Sequence, residues 1–341
     1  MMRFKRYSAN LLFFILSLLF LGFFFLGERF IPIQMNLSSM PMLNSMFVVF
    51  LGLFLESIPF LFLGAIASSF IHLFISEELI QRMIPKKPIA ALFWSIVAAL
   101  IVPVCECAII PVVRRLIIKG VPIHAGIVLL VTAPILNIIV FGSTYYAFQK
   151  NPEIIYGRVI ICILTAIIVG AFVYIFCRKD IIKEEANKHN HNHSQHDHFS
   201  SLSHKLTHLI NHITDEFFMV GKYFIIGAVF ASVFQVCVDR TILAELGNSQ
   251  IQGTVLMMGI AYILSLCSSA DAFVAASFSH SFLPGSILGF LVFGPMLDLK
   301  NTLIMMSCFK WRFVFIYILL VFLVVLSLCL LAGVWISRGG L

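Results

Sequence analysis

The sequence predicts an all-α polytopic membrane protein built on an inverted internal repeat with broken or re-entrant hairpins. Three observations carry this: an apolar, charge-poor composition, apolar runs of spanning length, and a second half that repeats the first. Hydrophobic residues make up 60% of the 341, charged residues only 11%, and the mean hydropathy is +1.02. A soluble domain carries charge on roughly a quarter of its residues. Apolar runs near 20 residues match a hydrocarbon core about 30 Å thick, and helices are the economical way to cross it. The net charge of +7 requires no nucleic-acid partner, because excess Lys and Arg on one face orient a membrane protein.

The elements follow in order. MMRFKR and the apolar run after it imitate a signal peptide. The run is long, however, and no small-residue cleavage pattern follows before Glu28, so an uncleaved first span with a cytoplasmic start is expected over 1–45. Apolar segments come next near 46–75, 89–103, 108–118, 123–148 and 154–177. A polar stretch occupies 178–214, and a second series runs through 217–238, 251–266, 272–283, 284–307 and 313–336. The short segments form adjacent pairs, each hinged at a cysteine-bearing tip: CEC at 105–107 and CSSAD at 267–271.

Placing Cys105 on Cys267 places Pro122 on Pro284 without a gap. An adjustment of one residue places TAPILN (132–137) on FGPMLD (293–298), and LGAIAS from Leu63 falls on IGAVFA from Ile226. The chain therefore reads as two copies of one unit, 46–177 and 215–341, joined by a soluble loop over 178–214. An odd number of crossings per copy inverts the second relative to the first. Charge placement agrees: the hairpin base 114–119 holds Arg114, Arg115 and Lys119, whereas 279–284 has no Lys or Arg. Arg158 is assigned to the outer segments, and Lys222 and Lys300 are expected to snorkel inward.

The tips are where chemistry is expected. In inverted-repeat transporters the site lies near the midplane, between discontinuous helices. A half-helix starting after Cys107 or after Ser268 would point free N–H groups and a positive dipole end there, favouring a thiolate. Thiolates suit Cu(I), Zn(II), Cd(II) or trivalent arsenicals rather than Mg or Ca. Cys105 and Cys107 would face apart on a regular helix, but Pro103 argues for a non-helical tip. Cys267, Ser268 and Ser269 line the second tip, and Ser268 with Asp271 has the form of a capping box, so a cap there stands beside a ligand. Glu56, Asn137 and Asp298 are intramembrane polar groups, functional by default. Asn137 and Asp298 are repeat-equivalent, each three residues after a proline, with a packing hydrogen bond for Asn137 and a salt bridge of Asp298 to Lys300 as the bland alternatives. Cys162, Cys177, Cys237, Cys308 and Cys329 read as packing residues.

The middle loop carries eight of the eleven histidines. His189, His191, His193, His196 and His198 form a tract able to hold Zn or another transition ion weakly. His204, His208 and His212 share one face of an expected interfacial helix, with spacing suited to zinc. A polar solvated linker is the alternative, and no resident cofactor is expected.

PVCECAIIPVVRRLIIKGVP, TAPILN, CSSADAFVAASF and FGPMLDLKN together resemble the predicted-permease family that includes ArsP-type organoarsenical efflux permeases and YraQ-like membrane proteins. The resemblance covers both copies and implies a bacterial plasma-membrane permease without its own ATPase. No Walker, G-x-S-x-G, H-E-x-x-H or Rossmann pattern stands in a suitable context, so an enzyme is not expected. The reading is a permease that exports a small thiophilic inorganic or organometallic solute. A membrane thiol oxidoreductase or a metal sensor built on the loop are the alternatives. The bilayer is the expected partner, with a homo-oligomer or an accessory subunit open.

Overall fold

The computed structural model describes residues 41–74, 88–101, 105–177, 181–182, 202–237, 249–279 and 281–338. The expected first span, up to residue 40, and the histidines from 189 to 198 lie outside the described residues, as does Pro103. The chain divides into Met1–Phe47 and one compact unit, Val48–Leu341, and the site is built within the larger unit.

All the described elements of length are helices. The first half supplies α1 (Pro41–Phe74), α2 (Pro88–Ile101), α3 (Glu106–Ile118), α4 (Ile123–Leu136), α5 (Ile138–Ala147) and α6 (Pro152–Phe176). The second supplies α7 (Leu202–Cys237), α8 (Gln250–Leu264), α9 (Asp271–Ser277), α10 (Pro284–Met296), α11 (Leu299–Cys308) and α12 (Trp311–Ser337). The order is the same in each: a long helix, a short one, a hairpin helix, a broken pair and a long closing helix. Six stretches among the described residues are long and apolar enough to cross a membrane, three in each half.

Packing repeats as well. The pairs α2/α4 and α4/α6 in the first half are matched by α8/α10 and α10/α12 in the second. Across the halves α3 packs on α11 and, in exchange, α9 packs on α5; α4 meets α10 and α6 meets α12. The centre is α10–α11, whose spanning window is 89% buried, whereas the window of α12 is 28% buried. Trp311, Phe315, Leu319 and Leu331 are exposed on α12, which is the lipid-facing surface expected where nothing is gained by hiding apolar groups from hydrocarbon.

Two segments expected as single spans are each broken. Pro134 and Pro295 sit inside α4 and α10 near their C-terminal ends. Proline removes one backbone donor and strains the turn before it, which weakens the helix there without by itself ending it, since α1 and α3 continue past Pro59 and Pro111. The chain restarts one or two residues later on a polar cap: Asn137 Oδ1 accepts from Ile139 N at 2.9 Å, and Asp298 Oδ1 accepts from Asn301 N at 2.6 Å. Repeat-equivalent residues thus do the same local work, an N-cap at a mid-span break. A third difference concerns α7. The stretch expected as a separate interfacial helix forms the first turns of one continuous 36-residue helix; His204, His208 and His212 fall within it, their side chains outside the described residues.

Candidate functional site

The two tips meet. Cys105 is the N-cap of α3 with extended backbone (φ −72°, ψ 165°), and its side chain makes no capping bond. Glu106 opens the helix and is 4% exposed, Cys107 is 1% exposed, and Cys105 is half-exposed. On the other side α8 ends at Ser265, a buried non-glycine residue in the left-handed region (φ 48°). That conformation costs a residue with a Cβ and is kept where surrounding structure imposes it; here it turns the chain sharply into Cys267. Ser268 Oγ then donates to Glu106 Oε2 at 3.3 Å, both groups buried. Cys267 is half-exposed and lies 3.5 Å (Sγ to Oγ) from Ser269.

Glu106 and Ser268 are the residues that follow Cys105 and Cys267, so the bond joins equivalent positions of the two halves.

Charged groups surround this contact. Lys300, 1% exposed, reaches Asp298 Oδ2 with its ammonium at 3.9 Å and lies within electrostatic reach of Cys107, Glu106 and Cys267. The expectation that Lys300 snorkels to the surface is therefore wrong: α11 is a central helix, and Gly227 of α7 packs against the Lys300 backbone, where an added Cβ would lie 2.9 Å from its Cα. Lys222 is exposed. Arg158 is likewise no outer-loop charge. It is 2% exposed and donates to Thr144 Oγ1 at 2.6 Å, to Asp271 Oδ2 at 2.7 Å and to the Ser268 carbonyl at 3.4 Å.

That ion pair also corrects the capping box. Ala270, not Ser268, is the N-cap of α9 and supplies no side-chain bond. Ser268 is engaged with Glu106, and Asp271 with Arg158. In a capping box the carboxylate would reach back to a backbone N–H; here it accepts from the Arg158 guanidinium instead, a bond between two opposite charges.

The far end of α3 holds a second cluster. Arg114 and Arg115, 1% and 5% exposed, both reach Glu216 of α7, at 3.4 Å and 3.0 Å. With Arg158, three cations expected as loop charges are thus interior groups. Sequence reasoning missed Arg158 and Glu216 as members of the interior. For Arg158 the signal was present, since it lies inside the apolar run 154–177, where a charge implies a buried partner.

Cys105, Glu106, Cys107, Cys267, Ser268, Asp271 and Asp298 are thus brought into one neighbourhood. Glu56 on α1 is exposed yet within electrostatic reach of Glu106 and Cys267. Asn137 gives its Oδ1 to the cap of α5, the helix that packs on α9. Among the described residues no three His, Cys, Asp or Glu side chains converge as a metal cage. Among the buried polar atoms of the described residues that lack a hydrogen-bond partner are Asp298 Oδ2 and both amide atoms of Asn301, at the α10–α11 break.

A multi-helix membrane protein with a polar, thiol-bearing cluster enclosed between two equivalent halves has the construction of a transport protein. Known proteins agree: residues 42–334 match the family described as "Predicted permease", and the chain belongs to that family. It is 42% identical over 291 residues to the UPF0718 protein YcgR of Bacillus subtilis, covering 85% of this chain and 96% of that protein. It is 35% identical over 287 residues to a protein of Streptococcus mutans named "Putative two-component membrane permease complex subunit", covering 84% and 94%. No solved structure matches the chain.

Proposed function

We propose that this permease moves a small thiophilic solute, a soft metal ion or a trivalent arsenical, through a site formed where the two tips meet. The observation that carries the reading is that Cys105 and Cys267, half-exposed thiols at equivalent positions, flank the bond between Ser268 and Glu106. A thiol from each half offers the two-sulfur coordination that soft ions accept, and the lack of a third converging ligand among the described residues favours a guest that can leave over a resident structural metal. Glu106 is the proton-coupled group. Asp271 is committed to Arg158 and Asp298 faces Lys300, which leaves Glu106, bonded to the neutral Ser268 hydroxyl, as the carboxylate of the three without an ion pair. A proton arriving at Glu106 weakens its hold on a cation and assists release, because ligation and protonation are linked.

The halves are inverted in the membrane on this reading. Three long spans per half plus a hairpin of two short helices give an odd count of crossings whether or not the hairpin spans, and odd copies alternate in orientation. Export is the direction implied by the resemblance to arsenical efflux permeases. The name of the Streptococcus mutans relative suggests that a second membrane subunit completes the machinery.

The test is a tolerance panel in a strain lacking the gene, challenged with Zn, Cd, Cu and trivalent arsenicals. The wild-type gene should restore tolerance to at least one, and Cys105→Ser and Glu106→Gln should not. Full rescue by both variants across the panel would remove the thiol site.

A further inference from the structure

We infer that the junction of α4 and α6 carries a second ligand site, made by His124 and Cys177, that takes a soft or borderline d10 cation. This site is distinct from the tips. A cavity of about 230 Å³ is lined by Ile123, His124, Val173, Tyr174 and Cys177. His124 is 9% exposed, and its Nε2 is buried without a hydrogen-bond partner. Its ring is held edge-to-face against Tyr174, centroids 5.1 Å apart, which fixes the imidazole plane. Cys177 caps the end of α6 as a free, half-exposed thiol.

An imidazole and a thiol that line one cavity supply the donor types preferred by Cu(I), Zn(II) and Cd(II), and unsuited to Mg or Ca. A buried ring nitrogen with no protein partner is costly unless something else satisfies it. A packing role explains the Tyr174 contact but leaves that nitrogen unexplained. Two protein donors leave coordination positions open, and the cavity is several times larger than an ion, so the metal would complete its shell with water or a small thiol. Such a site suits transient capture, not permanent holding. Its position along the chain fits that role, because the loop bearing the histidine-rich tract begins directly after Cys177 in the sequence.

The experiment is a Cd(II) titration of the full chain in detergent, following the sulfur-to-cadmium charge-transfer band, which imidazole ligands do not produce. Cys105, Cys107, Cys267 and Cys237 are replaced by Ser, so that neither the tips nor the exposed thiol contribute and the outcome is independent of the transport reading. The band should persist in that background and vanish when Cys177→Ser is added. His124→Gln should raise the half-saturating concentration about tenfold or more while leaving the band's amplitude at saturation. A band that survives Cys177→Ser, or a midpoint unmoved by His124→Gln, would overturn the site. Absence of the band from the starting background, with the chain still giving a cooperative thermal transition, would do the same.

Discussion

The two hairpin tips occupy equivalent places and are held in opposite ways. The first tip opens a 13-residue helix that is gripped at its far end, where Arg114 and Arg115 meet Glu216 of α7. The second opens a helix of seven residues that is gripped at its start, where Asp271 meets Arg158 of α6. Each grip is made by the other half of the chain. The backbone is duplicated and the charges are not: Ile109 occupies the position equivalent to Asp271, and Ser268 the position equivalent to Glu106. Duplication supplies a scaffold in which every hairpin has a partner face, and single charged substitutions then decide which hairpin is tied and where.

The largest effect expected is on the second tip. Arg158→Ala leaves Asp271 as a buried carboxylate without its cation, a loss of about 3–5 kcal/mol, whereas replacing both members by Leu should recover most of it. Thermal unfolding in detergent measures both. A single variant as stable as the wild type would mean that the pair does not hold the tip.

Next come the glycines that let each long helix approach its hairpin or break. A Cβ on Gly64 would lie 2.7 Å from Ala108 Cβ, and one on Gly227 would lie 2.9 Å from Lys300 Cα, whereas one on Gly52 meets nothing within 4 Å. Gly64→Ala and Gly227→Ala should each cost about 1–3 kcal/mol by overpacking, with Gly52→Ala as the unaffected control in the same melts. The two equivalent glycines meet non-equivalent partners, Ala108 and Lys300, so a variant at either one that melts like the Gly52→Ala control would show that its close approach is not tight.

The caps give a finer comparison. Asn137→Ala should cost about 0.5–2 kcal/mol. Asp298→Asn keeps a capping oxygen, so any loss beyond that of a cap-neutral change reports the pairing with Lys300. The smallest effect is expected at Cys105→Ser, a half-exposed position with no capping bond, where stability should stay within about 0.5 kcal/mol even as tolerance is lost. Separating those two readouts distinguishes a ligand from a packing residue.

Much of this architecture was legible in the sequence because apolar runs, prolines and a repeated motif are local signals. The tips and the order of the elements leave marks of that kind, whereas the breaks at Asn137 and Asp298 fall inside 123–148 and 284–307, which read as single apolar segments. The ion pairs were not legible for a physical reason: Arg158 with Asp271, and Arg114 with Glu216, are partners more than a hundred residues apart, so that even where an apolar run marks Arg158 as buried, nothing local names its partner. Lys300 failed the same way, since a lysine two residues from a helix break fits a surface and a centre equally well. Ser268 carried a misleading local pattern, and a long-range carboxylate won.

If thiols from both halves share one guest, their protection by that guest must be joint. Alkylation of Cys105 and Cys267 in native membranes, followed by peptide mapping across a titration of the transported soft ion, measures this directly. Both thiols should become protected together, with one midpoint, and Glu106→Gln should shift that midpoint for the two alike. Protection of one thiol without the other, or of neither at concentrations that support transport, would contradict a shared site.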